Sequence, residues 1–249
     1  MTKSAVLLIH GFPFDHSMWR HQLDVLSRWE CVAPNLCGAG VSDAPADPDE
    51  YSMAAYARDL TALLDEQGIE SVVLCGLSMG GYITFELLRQ IPARVRAAIL
   101  CDTKSAADTP EAKRGRGVLA ETARSLGTRA VAEELIPKVL GRETRERQPH
   151  VVREVRQMME RQPVAGIVGA LRAMRERPDS TALLGRIQVP VLVIAGDDDQ
   201  ITPAAGMQEM AGAIPNAEFV VIPDAGHLAP LEQPRAFNTA ITEFLAKVG

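Results

Sequence analysis

Apolar residues follow two rhythms along this chain. Short unbroken aliphatic or β-branched runs lie at Ala5–Ile9, Cys31–Pro34, Val72–Cys75, Ala97–Cys101, Val191–Ala195 and Phe219–Ile222. They lack the polar alternation of a half-solvated strand, so they predict strands covered on both faces. Between them, apolar positions recur every three to four residues and predict helices over Ser17–Arg28, Ser52–Gln67, Met79–Gln90, Pro203–Ala213 and Pro234–Lys247. Strand and helix in alternation imply an α/β architecture, a mainly parallel sheet of about six strands with helices on both faces. From Thr103 to about Gln188 the alternation stops. Helical periodicity near Pro110–Leu126, Thr128–Leu140, Val151–Arg161 and Val164–Arg177 is punctuated by Pro149, Pro163 and Pro178, with no convincing strand. The expected organisation is a core made of residues 1–102 and 189–249, with residues 103–188 inserted before the fifth strand as a cap of about four helices.

Charge sharpens this division. The segment 103–188 holds 17 of the 26 basic but only 11 of the 32 acidic residues, a balance of +6 against −12 for the rest. A helical layer of opposite sign to its base reads as a separate layer. Over all 249 residues the net charge is −6, which argues against a general nucleic-acid binder. Cys31, Cys37, Cys75 and Cys101 form no C-x-x-C pair and the five histidines no H-E-x-x-H, so neither a disulfide scaffold nor a metal site is expected. Lys3 precedes the apolar run Ala5–Ile9, but that run is too short for a signal peptide and ends at His10-Gly11. No segment reaches the length of a membrane span. The expectation is a soluble cytoplasmic protein acting on a small molecule, without cofactor, metal, nucleic acid or membrane.

Three motifs carry chemistry. Gly76-Leu77-Ser78-Met79-Gly80-Gly81 follows a buried strand and opens a helix, the context of a G-x-S-x-G nucleophile elbow. The turn is sharp, so the neighbours of Ser78 must be small, and it thrusts the hydroxyl off the end of the sheet at a helix N-terminus. His10-Gly11-Phe12-Pro13 follows the first strand. An acyl-transfer intermediate needs two N–H donors for its oxyanion; Met79 supplies one and Phe12 is the best-placed second. His10 itself reads as a brace for this loop. Serine also needs a base, and the base needs a carboxylate to fix its tautomer. His227, in Ala225-Gly226-His227-Leu228, follows the last strand, and the carboxylate belongs in Gly196-Asp197-Asp198-Asp199 after the preceding one.

With these three blocks the sequence resembles the α/β-hydrolases along nearly its whole length, most closely 3-oxoadipate enol-lactonase-like esterases and cofactor-free haloperoxidase/perhydrolase-like esterases. The family spacing G-x-x-D-x-x-x-P aligns Gly196, Asp199 and Pro203. The resemblance therefore implies Asp199 as the acid, with Asp102 after the fourth strand as rival and Asp197 and Asp198 as solvated loop charges. It implies a serine hydrolase of carboxylic esters or lactones. Alternatives are a lactonase for an enol-lactone or acyl-homoserine lactone, a carbon–carbon bond hydrolase, or a ligand receptor without turnover. Haloalkane dehalogenases are similar too but need a carboxylate where Ser78 stands. Where the family has D-x-R-G-x-G-x-S, this chain reads Asn35-Leu36-Cys37-Gly38-Ala39-Gly40-Val41-Ser42, and Cys37 is expected to be a structural thiol. The chain starts just before its first strand, which leaves no room for the family's N-terminal hairpin and implies a small sheet. The expected pocket is apolar, walled by Phe14, Trp19, Met158, Ile167 and Leu171, with the option that a cap arginine reads a substrate carboxylate. His16, His21 and His150 have no role in this chemistry.

Overall fold

The computed structural model describes residues 3–248 and holds a six-stranded, all-parallel sheet: β1 (Ser4–Ile9), β2 (Cys31–Val32), β3 (Ser71–Leu77), β4 (Val95–Cys101), β5 (Val191–Gly196) and β6 (Ala217–Ile222) in the order β2-β1-β3-β4-β5-β6. Burial on both faces explains the unbroken apolar runs. Along β1, Ala5, Leu7 and Ile9 enter one core cluster while Val6 and Leu8 enter the other; Val191, Val193 and Ala195 against Leu192 and Ile194 repeat this along β5. Helices α1 (Arg20–Val25) and α11 (Pro234–Val248) pack together on one side of the sheet. On the other lie α2 (Met53–Glu66), α3 (Met79–Gln90) and α9 (Ala204–Gly212), whose Leu60, Ile83 and Met207 join the cluster of Leu7.

Between β4 and β5 the described residues form no strand. They form α4 (Pro110–Val139), α5 (Arg142–Arg147), α6 (Pro149–Glu160), α7 (Val164–Arg175) and the single turn α8 (Thr181–Leu184). Helix α4 is two helices joined across a kink at Gly127 (φ 79°, ψ −178°), where the periodicity predicts a break. A last short helix, α10 (Ala229–Glu232), precedes α11. Oppositely charged groups join this helical excursion to the rest of the chain: Arg20 to Glu154, Arg161 to Asp15 and Arg172 to Asp49. No helix among the described residues is long and apolar enough to cross a membrane.

The sheet order places the site. The chain runs outward from β1 to β2, then returns to β3 on β1's other side, which opens a crevice at the carboxyl ends of β1 and β3. Ile9 is in register with Gly76, so the loops that begin at His10 and Ser78 leave the sheet side by side.

Candidate active site

Ser78 sits between β3 and α3 with φ 54° and ψ −110°, a backbone conformation that costs a non-glycine residue of order 1–3 kcal/mol. Its surroundings hold it there. Its N–H donates to Cys101 O (2.9 Å), while its carbonyl accepts from Gly81 N (2.9 Å) and from the Thr103 hydroxyl (2.8 Å). A Cβ on Gly76 would meet the Gly80 carbonyl and one on Gly80 the Ile9 carbonyl, so only glycine fits on either side of the turn. Ser78 occupies the N-cap position of α3 yet its hydroxyl makes no capping bond. A serine present only to cap the helix would make one.

His227 lies in the loop after β6, 2% exposed, with Nδ1 2.7 Å from Asp199 Oδ2. Asp199 also accepts from the Thr202 hydroxyl (2.5 Å) and from the amides of Ile201 (2.7 Å) and Thr202 (3.1 Å). Burial alone would raise this carboxyl, but the His227 ring and the Thr202 donors outweigh it and hold it at about 2. An ionised Asp199 accepts only, so the imidazole proton sits on Nδ1 and Nε2 is left free as a base. Ser78 and His227 line one cavity of about 250 Å³, with Phe12, Tyr82, Leu119, Leu135, Leu171 and Met174 among its other walls.

Phe12 borders this cavity and, with Met79, also a nearly filled void of about 20 Å³ lined by Phe14, Cys37 and Ile167. Of the expected site residues, Phe12 and Leu171 line the cavity of Ser78 and His227, whereas Phe14, Met79 and Ile167 line the adjoining void, whose walls do not include Ser78. Trp19 and Met158 line neither space and are buried in the cluster that covers the α1 and α11 side of the sheet, where the Trp19 ring packs against Phe237 at 6.3 Å. Met158 was expected from helical spacing and Trp19 from its place after the oxyanion loop, and neither signal tells which interior a residue faces.

Other expected assignments find definite partners. His10 donates from Nδ1 to Gly11 O (2.9 Å) and accepts the Leu36 amide at Nε2 (3.0 Å); burial lowers its pKa to about 4, so it stays neutral and braces two loops. Asp102 does not meet the His227 ring nitrogen that Asp199 holds. Its Oδ1 takes the Gly196 amide (2.8 Å), and burial, then the nearby Asp199 charge, push it well above the carboxylate range. Asp197 and Asp198 are not merely solvated: they accept from the amides of Ala225 (3.3 Å) and Arg142 (2.6 Å), because this turn packs against two other loops. Burial, then neighbouring carboxylates, raise the Cys37 thiol, and its Sγ donates to Asp43 O (3.5 Å); this describes a structural thiol, not a nucleophile. His16 bonds to Asn35 Oδ1 (2.7 Å), away from the cavity.

Two supporting groups escaped the sequence reading. Asp15 caps the turn His16–Trp19 through the Ser17 amide (3.0 Å) and takes two bonds from Arg161 (2.7 and 2.8 Å) and one from Gln162 (2.9 Å), tying the loop after β1 to the end of α6. The Asp-x-Ser spacing gives the cap away; its distant partners leave no local trace. Glu232 is 1% exposed, and an acid directly after the apolar run Leu228–Leu231 was the available signal.

One excursion arginine reaches the cavity. Arg116 lines it while bonding to Asp108, a buried carboxylate that also pairs with Arg177 (2.8 Å) and faces Lys104 (3.8 Å). Three cations around one anion leave this side of the site positive.

A family model described as alpha/beta hydrolase fold matches residues 4–234. Among curated proteins, 3-oxoadipate enol-lactonase 2 of Acinetobacter baylyi is 28% identical over 240 residues, 96% of this chain and 87% of that protein. Among solved structures, a thermophilic esterase from Thermogutta terrifontis with malate bound is 42% identical at a TM-score of 0.94, covering 99% of this chain and 91% of that one. The enol-lactonase from Burkholderia xenovorans LB400 is 29% identical at a TM-score of 0.90, covering 99% and 92%.

Proposed function

Since this chain belongs to the α/β-hydrolase fold family, we propose that it is a serine hydrolase of small carboxylic esters or lactones that works through an acyl-enzyme. The observation that carries the reading is the 2.7 Å contact between Asp199 and His227 Nδ1 beside a cavity shared by Ser78 and His227. His227 Nε2 takes the proton of the Ser78 hydroxyl as Oγ attacks the carbonyl carbon. The backbone N–H groups of Phe12 and Met79 hold the oxyanion, and Asp199 stabilises the imidazolium. His227 then gives the proton to the departing alkoxide oxygen; water, deprotonated by the same ring, attacks the acyl carbon, and His227 passes that proton to Ser78 Oγ as the acid leaves. Residues 103–188 act as a cap that closes the cavity over Ser78 and keeps out bulk water.

A fluorophosphonate probe should label Ser78 in the wild-type protein and leave Ser78→Ala unlabelled; labelling of that variant at another residue would remove Ser78 from its role. Saturable binding of p-nitrophenyl butyrate without release would make the protein a receptor. Arg116 on the cavity wall favours a second reading, a lactone or ester that carries its own carboxylate, and esterase and enol-lactonase neighbours accord with both readings. Hydrolysis of p-nitrophenyl butyrate compared with mono-p-nitrophenyl succinate separates them. A higher kcat/KM for the charged ester supports the second, and parity or a lower value supports neutral esters.

A further inference from the structure

Glu232, the last residue of α10, puts its carboxylate where three main-chain N–H groups converge. Oε1 accepts from Gly226 and Leu228, each at 3.0 Å, and Oε2 accepts from Gly141 at 2.8 Å. Gly226 and Leu228 are the residues on either side of His227. Gly141 is the corner between α4 and α5. His227 adds its own N–H to the carbonyl of Val139 (3.0 Å), the last residue of α4. The turn that carries His227 is therefore joined at three consecutive amides, one directly and two through Glu232, to the end of the excursion's longest helix.

We propose that Glu232 is a positioning residue for the catalytic base: its carboxylate fixes the main chain of residues 226–228 and so sets the aim of His227 Nε2 at Ser78. The inference rests on the roles given to those two residues under Proposed function. The donor pattern specifies the side chain. Three N–H groups demand an acceptor-only partner with two oxygens, which an ionised carboxylate supplies and an amide does not. Burial raises the Glu232 carboxyl above its ordinary value, and the Thr144 hydroxyl and the amides of Gly141, Leu228 and Gly226 offset part of that rise. Nothing in the imidazole's own contacts replaces this support. Asp199 (2.7 Å) and the Thr202 hydroxyl (3.3 Å) both meet the ring at Nδ1 and hold that one atom, while the main chain that carries the ring is held by Val139 O and by Glu232.

The test compares Glu232→Gln and Glu232→Ala with wild type and with Leu245→Ala, a buried core substitution in α11 chosen to lower Tm without touching the loop. Below the Tm of each variant, kcat on a p-nitrophenyl ester should fall about 10-fold in Glu232→Gln and roughly 100-fold in Glu232→Ala, with KM within about twofold. The rate of fluorophosphonate labelling at Ser78 should fall in step. The low-field NMR resonance of the His227 Nδ1 proton should broaden or vanish in both Glu232 variants and persist in Leu245→Ala. Should Glu232→Ala not fold, the isosteric Gln variant carries the comparison. Glu232 variants that lose Tm yet label Ser78 at the wild-type rate and keep the resonance would overturn the proposal. If wild type itself fails to label at Ser78, the hydrolase reading falls, and the resonance alone decides whether Glu232 positions the ring.

Discussion

Four donors converge on Asp199: the His227 ring, the Thr202 hydroxyl and the amides of Ile201 and Thr202. Replacing Asp199 by Asn keeps the shape but sets an NH₂ or a neutral oxygen against donors, and removes the charge that fixes the tautomer. We expect kcat to fall by about 10³- to 10⁴-fold with KM little changed, measured by steady-state kinetics. A loss below about 10-fold would show that another carboxylate serves His227. Because Asp199 stays ionised down to about pH 2, any loss of activity between pH 5 and 7 must come from another group. At this scale the sequence was legible wherever residues announce themselves by local spacing. Ser78 stands between glycines, while only the resemblance to the α/β-hydrolases, through the spacing Gly196-x-x-Asp199-x-x-x-Pro203, implied one of three consecutive aspartates. Asp15 and Glu232 were legible only in part: their bonds to Gln162 and Gly141, 147 and 91 residues away, leave no trace in the local spacing.

Helix boundaries show the same division between local and distant causes. The two helices predicted on either side of Gly127 exist, and the kink falls on that glycine because φ 79° with ψ −178° is a conformation only glycine adopts cheaply. No atom lies within 4 Å of where a Cβ would be, so the cost of Gly127→Ala is backbone strain alone. It should destabilise by about 1–3 kcal/mol, visible as a Tm lowered by at least about 2 °C in thermal denaturation. An unchanged Tm would mean that the kink relaxes without cost. Strand β2 is shorter than predicted, Cys31–Val32 instead of Cys31–Pro34. It pairs only with β1 at the edge of the sheet, and Pro34 has no N–H to extend the ladder. The short helices α5 and α8 leave too few turns for periodicity to register.

Across the whole molecule, the parallel sheet brings Ser78, Asp199 and His227 to its carboxyl edge from the loops after β3, β5 and β6, and Phe12 from the loop after β1. The alternation of strand and helix made this arrangement readable, because a doubly covered parallel sheet places its loops that way. How the excursion packs was not readable: its apolar stripes feed both core clusters, and periodicity does not say which. The pH dependence of stability also belongs at this scale. His10 is buried and neutral, with its pKa lowered from 6.5 to about 4. A base with a depressed folded-state pKa contributes fully above the unfolded value, and the contribution is lost as pH falls toward the folded value. Global stability should therefore drop by about 3 kcal/mol between pH 6.5 and 4 from this group. His10→Gln should flatten that slope in denaturant titrations; an equal slope in both proteins would assign the loss elsewhere.

Strands β4 and β5 are neighbours in the sheet but are separated in the chain by the whole helical excursion. On a ribosome adding roughly 5–20 residues each second, β4 emerges and then waits on the order of 5–20 s for the strand that covers its edge. Through that interval Ala98, Ile99 and Leu100 offer an unpaired apolar border to any other nascent chain. The serine waits longer still for its imidazole, 149 residues downstream, so a half-made chain carries an inert alcohol beside an adhesive flank.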